Sequence, residues 1–159
     1  MHSISSYTDA LHVMRRCTGV VIPVFFPEGV APDPAVGYLE DTVISYVTQV
    51  ENPLSICLSV DGPAHGREIA ATLAARHGVA CVVADDNRGK FQAAAQGVRH
   101  LLVPPTHRFV AIVDQDGDHF ANELINLIRA ALHVQTQTAG ERVLALGALL
   151  GLVSGAPAR

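Results

Sequence analysis

Four continuous apolar runs alternate along the chain with segments whose apolar residues recur at helical spacing. The runs predict strands over residues 18–26, 54–60, 79–84 and 109–113. The segments between and after them predict helices over residues 36–50, 66–77, 90–102 and 122–134. Unbroken apolar strands are typical of a parallel sheet that is covered on both faces. The pattern therefore predicts an α/β fold, a three-layer, mostly parallel open sheet with helices on both faces.

Two parts of the chain lie outside this alternation. Residues 1–17 predict an irregular or helical leader, and residues 18–159 predict a single domain because no repeat or linker divides them. Residues 142–150 fit either a fifth strand or a helix. Pro23 has no backbone N–H to donate, so it predicts that the first strand ends there or lies at a sheet edge.

Composition narrows the class of protein. Hydrophobic residues make up 49% of the chain and charged residues 16%, which excludes an intrinsically disordered segment. A net charge of −4 without a basic cluster argues against nucleic-acid binding. The longest apolar stretch, 143–153, falls short of the roughly 20 residues of a membrane span. The N-terminus does not resemble a signal peptide and the three cysteines lack C-x-x-C spacing, so we expect reduced thiols in a cytoplasmic protein.

Acidic side chains follow three of the four predicted strands. Asp61 follows the second strand, Asp85 and Asp86 the third, and Asp114 and Asp116 the fourth. Because ligands bind at the carboxyl edge of an open parallel sheet, we expect these groups to form one site there. Crowded carboxylates repel one another unless a cation accompanies them. The sequence therefore predicts Mg²⁺ or Mn²⁺ held by Asp114 and Asp116, carrying a phosphate-bearing substrate.

The acidic string that starts at Asp114 has other interpretations. A calcium-binding EF-hand loop requires Gly at its sixth position and Glu at its twelfth, where this chain has His119 and Ile125. A Mg²⁺-dependent phosphatase that uses Asp114 stays open, although too few residues follow Asp114 for the usual downstream groups. An acidic loop that caps the next helix is a further interpretation, above all for Asp118.

Four segments, taken in order, resemble the motifs of one enzyme family. Residues 20–25 (V-V-I-P-V-F) are similar to its opening strand, and residues 59–62 (S-V-D-G) to its second acidic turn. Residues 87–97 are similar to its N-x-G-x-x-x-A-x-N-x-G segment, and residues 114–116 (D-Q-D) to its Asp-x-Asp motif. Over about residues 18–132 the chain thus resembles glycosyltransferase family 2, inverting enzymes with the GT-A nucleotide-sugar-binding fold.

This resemblance implies a metal-dependent transferase whose donor is a UDP- or GDP-linked sugar and whose acceptor is unknown. It implies that Mn²⁺ or Mg²⁺ is bound by Asp114 and Asp116. It implies that the nucleotide-sugar is bound by Pro23, Phe25, Asp61, Asn87, Gly89, Lys90, Asp114 and Gln115.

The chain also departs from the family. The family's second half, which carries the acceptor site and the carboxylate that deprotonates the acceptor, has no counterpart after residue 119. The alternative prediction is therefore a non-catalytic nucleotide-sugar-binding module, or a fragment, that needs a partner for activity. The partner is either a second copy in a homo-oligomer or another subunit.

Overall fold

The computed structural model describes residues 6–27, 33–64, 66–103, 106–117, 120–138 and 142–147. The described strands are β1 (Thr18–Val24), β2 (Ile56–Val60), β3 (Ala80–Val83) and β4 (Phe109–Ile112). The described α-helices are α1 (Tyr7–Cys17), α2 (Asp33–Val47), α3 (Arg67–His77), α4 (Lys90–Leu101) and α5 (Leu124–Thr138). Short 3₁₀ helices cover Pro53–Ser55 and Ala121–Glu123.

The four strands form one parallel sheet in the order β3-β2-β1-β4. Val20 of β1 lies opposite Ile56 of β2 on one side and Ala111 of β4 on the other. The chain winds outward from β1 to β3 and then crosses back to add β4 beside β1. The direction of winding therefore reverses between β1 and β4, which is where open parallel sheets bind ligands. The predicted parallel α/β fold is confirmed.

Helices cover both faces of this sheet, in unequal amounts. On one face, alternate residues of β1 such as Val20 and Ile22 form the larger core with side chains of α1, α2, α3 and α5. On the other face, Val21 and Cys57 form a smaller core with Leu101 of α4. The arrangement is three-layered, with α4 alone among the described helices contributing buried side chains to the second face.

Two sequence predictions need correction or refinement. β1 lies inside the sheet, so Pro23 is not at an edge, but the ladder with β4 ends at Val21 and Ile112. Pro23 still lies opposite Ser59 of β2, one residue before β1 ends, so the strand-end prediction holds only on the side that faces β4. Residues 142–147 form neither strand nor helix, so the prediction over 142–150 is wrong there. Residues 148–150 lie outside the described residues.

Helix α1 falls within the predicted leader. It begins with a capping box, in which the Ser6 hydroxyl accepts from the Asp9 N–H and the Asp9 carboxylate accepts from the Ser6 N–H. Its inward residues Ala10, Val13 and Met14 belong to the larger core of the sheet. The leader and the sheet therefore share one core.

The three cysteines are free thiols, and only Cys57 is fully buried. Burial, with a smaller contribution from Cys81, raises the pKa of the Cys57 thiol to about 12. At neutral pH this thiol is protonated and packs as a small apolar side chain. No helix in the described ranges is both long and apolar enough to cross a bilayer.

Candidate functional site

A cavity of about 390 Å³ opens at the carboxyl edge of the sheet, beyond the end of the ladder between β1 and β4. The ends of β1 and β2, the loop after β4 and the first turn of α4 form its wall. The lining residues are Pro23, Val24, Phe25, Asp61, Asn87, Gly89, Lys90, Ala93, Asp114, Gln115 and Asp116. Every residue that the family resemblance assigned to the nucleotide-sugar or the metal lies in this wall.

The acidic residues after β3 do not join this site. Asp85 and Asp86 line a second, smaller cavity of about 280 Å³, together with Arg88 and Arg99. The Arg88 guanidinium pairs there with the Asp86 carboxylate at 3.0 Å. The expectation of a single acidic rim is therefore wrong for β3, because β3 is the outer strand on the side away from the β1–β4 crevice.

Asp61 is a buried carboxylate at the tip of β2, with 4% of its surface exposed. One oxygen accepts from the Arg88 N–H at 2.8 Å and the other from the Gly89 N–H at 2.9 Å. The next residue, Gly62, has φ of +91°, and a Cβ there would lie 2.9 Å from the Asn87 nitrogen. The Asp-Gly pair thus attaches the chain before α4 to the end of β2.

Helix α4 lies unusually close to the sheet. A Cβ on Gly97 would lie 2.5 Å from Val21 Cγ1 and 3.1 Å from Ser59 Cβ, so only glycine fits this approach. The buried Ser59 hydroxyl donates to the Ala93 carbonyl at 2.6 Å. These contacts bring the first turn of α4 to the cavity, with Gly89 at φ +89° forming the N-cap.

The first residue of α4, Lys90, reaches across the cavity to the loop after β4. Its ammonium forms an ion pair with the Asp114 carboxylate. Both side chains keep contact with solvent, at 58% exposure for Lys90 and 36% for Asp114. One of the two proposed metal ligands is therefore already matched by a positive charge from the protein.

Gln115 ties the same loop to the end of β1. Its side-chain oxygen accepts from the Phe25 N–H at 2.8 Å, and its amide nitrogen donates to the Phe25 carbonyl at 2.9 Å. The side-chain amide of Gln115 thus bonds both backbone groups of Phe25, as a residue of a neighbouring strand would do. The resemblance to the glycosyltransferases assigned Gln115 to the ligand, and the sequence carried no signal for this contact.

These contacts form a closed circuit around the cavity. The Asp61 N–H donates to the Val24 carbonyl at 3.0 Å, which joins the end of β2 to the end of β1. We call the circuit the polar ring; its members are Val24, Asp61, Gly89, Lys90, Asp114, Gln115 and Phe25. The ring joins four chain segments around the cavity.

The donor set suits a divalent ion only if the ligand completes its coordination. Within the described ranges, no three His, Cys, Asp or Glu side chains lie close enough to hold a metal. Asp114 and Asp116 nevertheless line one cavity, and Mg²⁺ is commonly bound by one or two carboxylates plus substrate phosphates. The residues therefore fit Mg²⁺ or Mn²⁺ that enters with a phosphate ligand. Asp118 and His119 lie outside the described residues.

Val24 and Ala93 are lining residues that the sequence patterns did not single out. Val24 is the last residue of β1, and Ala93 lies one helical turn after Gly89. Both are apolar, so neither stands out among the many core positions of the same type. Their places, at the end of a strand and in the first turn of a helix, are the signal that was available.

The fold and the cavity define an α/β protein with a candidate site at the carboxyl edge of a parallel sheet. No protein-family model, curated protein or solved structure matches this chain. The resemblance to glycosyltransferase family 2 therefore rests on the motifs alone.

Proposed function

We propose that this chain is a glycosyltransferase-like domain that binds a nucleoside-diphosphate sugar with a divalent metal, for inverting transfer to an acceptor. The observation that carries the proposal is that residues from all four motifs line one cavity at the reversal point of the sheet. Its volume of about 390 Å³ lies within the usual range of small-ligand sites.

The wall of the cavity offers separate partners for the parts of such a ligand. Pro23, Val24 and Ala93 supply apolar surface for a flat base or a sugar. Lys90 and the amino-terminal end of α4 supply positive charge for a diphosphate. Asp114 and Asp116 supply carboxylates for the metal, which when bound would give Lewis-acid assistance to the departing diphosphate.

Calorimetry with UDP and GDP, each with Mn²⁺ or Mg²⁺, tests the proposal. We expect metal-dependent binding of one nucleotide, weakened at least about tenfold by Asp116→Ala, because even indirect metal contacts contribute that much. Asp41→Ala is the matched control, since Asp41 is an exposed carboxylate on α2 outside the cavity. Absence of binding with both nucleotides and both metals would refute the proposal.

A second candidate is a module that binds the nucleotide sugar without transferring it unaided. The contacts of two cavity carboxylates favour it: Asp61 accepts from two backbone amides, and Asp114 forms an ion pair with Lys90. An inverting transferase needs a carboxylate within hydrogen-bond reach of the attacking hydroxyl.

Turnover of the donor separates the candidates. The module predicts nucleotide binding with neither donor hydrolysis nor transfer by the purified chain, whereas the transferase predicts release of the nucleoside diphosphate. Hydrolysis of an aryl phosphate that is lost in Asp114→Asn would instead support the phosphatase interpretation.

A further inference from the structure

The links of the polar ring differ in kind. Asp61 and Gln115 bind backbone groups, and the Asp61 N–H to Val24 contact joins two backbones. The link between Lys90 and Asp114 joins two side chains, both in contact with solvent. An exposed ion pair of this kind shifts an equilibrium by a factor of about two to five, so it is the link that opens most easily.

The two members of this link also differ in mobility. Asp114 lies two residues beyond β4, on a loop that Gln115 fastens to β1. Lys90 carries its charge on a flexible four-carbon stem, and the helix that begins with it is held by Asp61. The ammonium can therefore move while the backbone on both sides of the cavity stays in place.

We propose that Lys90 is the built-in counterion of Asp114 in the ligand-free site and is released when a metal-chelated diphosphate binds. Lys90 turns from the Asp114 carboxylate to the phosphate oxygens, and Asp114 turns to the divalent cation. This inference rests on the proposed function and adds that the cation and the diphosphate bind cooperatively.

Charge matching explains why the two should depend on each other. A bare cation must compete with the Lys90 ammonium for Asp114, and a bare diphosphate that captures Lys90 must break its ion pair with Asp114. When both bind, each new charge meets an opposite one. The coupling is reciprocal, so the metal strengthens nucleotide binding by the same factor as the nucleotide strengthens metal binding.

Titration of Mn²⁺ without nucleotide, followed by electron paramagnetic resonance, tests the counterion directly. We expect Lys90→Met to bind Mn²⁺ about two- to fivefold more tightly than the original chain, because the competing ammonium is gone. Arg88→Met is the matched control: it removes one positive charge two residues away and breaks the exposed Arg88–Asp86 pair of the other cavity. Equal unfolding temperatures would show that the variants are folded.

The nucleotide arm of the experiment uses UDP and GDP with and without Mn²⁺. With the metal present, Lys90→Met should bind the nucleotide about tenfold more weakly, since a charge-assisted contact to phosphate is lost. Unchanged nucleotide binding in this variant would overturn the release of Lys90 to phosphate.

The two proposals fail in different ways. If Lys90→Met binds Mn²⁺ no better than Arg88→Met, or if none of the proteins binds Mn²⁺, the counterion inference is overturned even where a nucleotide binds. If the original chain binds no nucleotide with either metal, the proposed function is overturned, whatever the Mn²⁺ titration shows.

Discussion

Asp61 shows how one side chain organises the residues around it. Its carboxylate is buried at the tip of β2 and receives two consecutive backbone N–H groups from a segment 27 and 28 residues further along the chain. Buried charged groups are tolerated where hydrogen bonds replace the lost water. Asp61 thereby sets where α4 begins and, through that helix, where Lys90 lies.

We predict that Asp61→Ala lowers the free energy of unfolding by about 3 kcal/mol, since two backbone N–H groups lose a buried ionic acceptor. Asp61→Asn should lose less, because its amide oxygen still accepts one of the two bonds. Urea denaturation measures both. Asp41→Ala, an exposed change on α2, should stay within about 0.5 kcal/mol of the original chain, and an equal loss there would contradict the prediction.

At the scale of elements, the close packing of α4 on the sheet brings its first turn to the cavity. The helix approaches β1 and β2 through Gly97, where an added methyl would meet Val21 and Ser59. Val21 is fully buried in an inner strand and β-branched, so it has little freedom to move aside. Helix α2 also contains a glycine, Gly37, but an added Cβ there meets nothing within 4 Å.

The two glycines predict opposite effects of the same substitution. Gly97→Ala should destabilise the protein by about 1–2 kcal/mol, because overpacking outweighs the gain of roughly 1 kcal/mol in helix propensity. Gly37→Ala should stabilise it by about 0.5–1 kcal/mol, because only the gain applies. Thermal unfolding of both variants measures the difference, and stabilisation by Gly97→Ala would show that α4 does not pack this closely.

For the whole molecule, the unequal cover of the two sheet faces decides where stability resides. Ile22 of β1 lies in the larger core with none of its surface exposed. Ile112 of β4 is 54% exposed. Val110, two residues before it, packs on the smaller core, so Ile112 points to the same face. Two isoleucines at strand positions thus lie in very different surroundings.

Replacing Ile22 or Ile112 by alanine should reveal how differently the two faces of the sheet are covered. Ile22→Ala is expected to lower the free energy of unfolding by about 3 kcal/mol, within the usual range for a buried isoleucine. Ile112→Ala should lower it by about 1 kcal/mol or less, because half of its side chain already faces water. Chemical denaturation gives both values; similar losses would mean that the α4 face of β4 is covered.

The sequence by itself determined the elements and the edge of the sheet where the site lies. Unbroken apolar runs predicted the four strands, and the acidic residues Asp61 and Asp114, which follow the second and the fourth run, indicated the shared edge. These features are local, since a run of apolar side chains and the residue that ends it need no knowledge of the rest of the chain. The leader, by contrast, was not recognised as part of the core.

Only the tertiary structure decided what the site residues contact. Asp85 and Asp86 line a separate cavity because of the strand order: β2 lies between β3 and β1. The pairing of Gln115 with Phe25 joins residues 90 positions apart, and that of Lys90 with Asp114 joins a helix start to a strand end. Such contacts form only once the strands have assembled into the sheet. A local sequence pattern holds no information about which distant segments then come together.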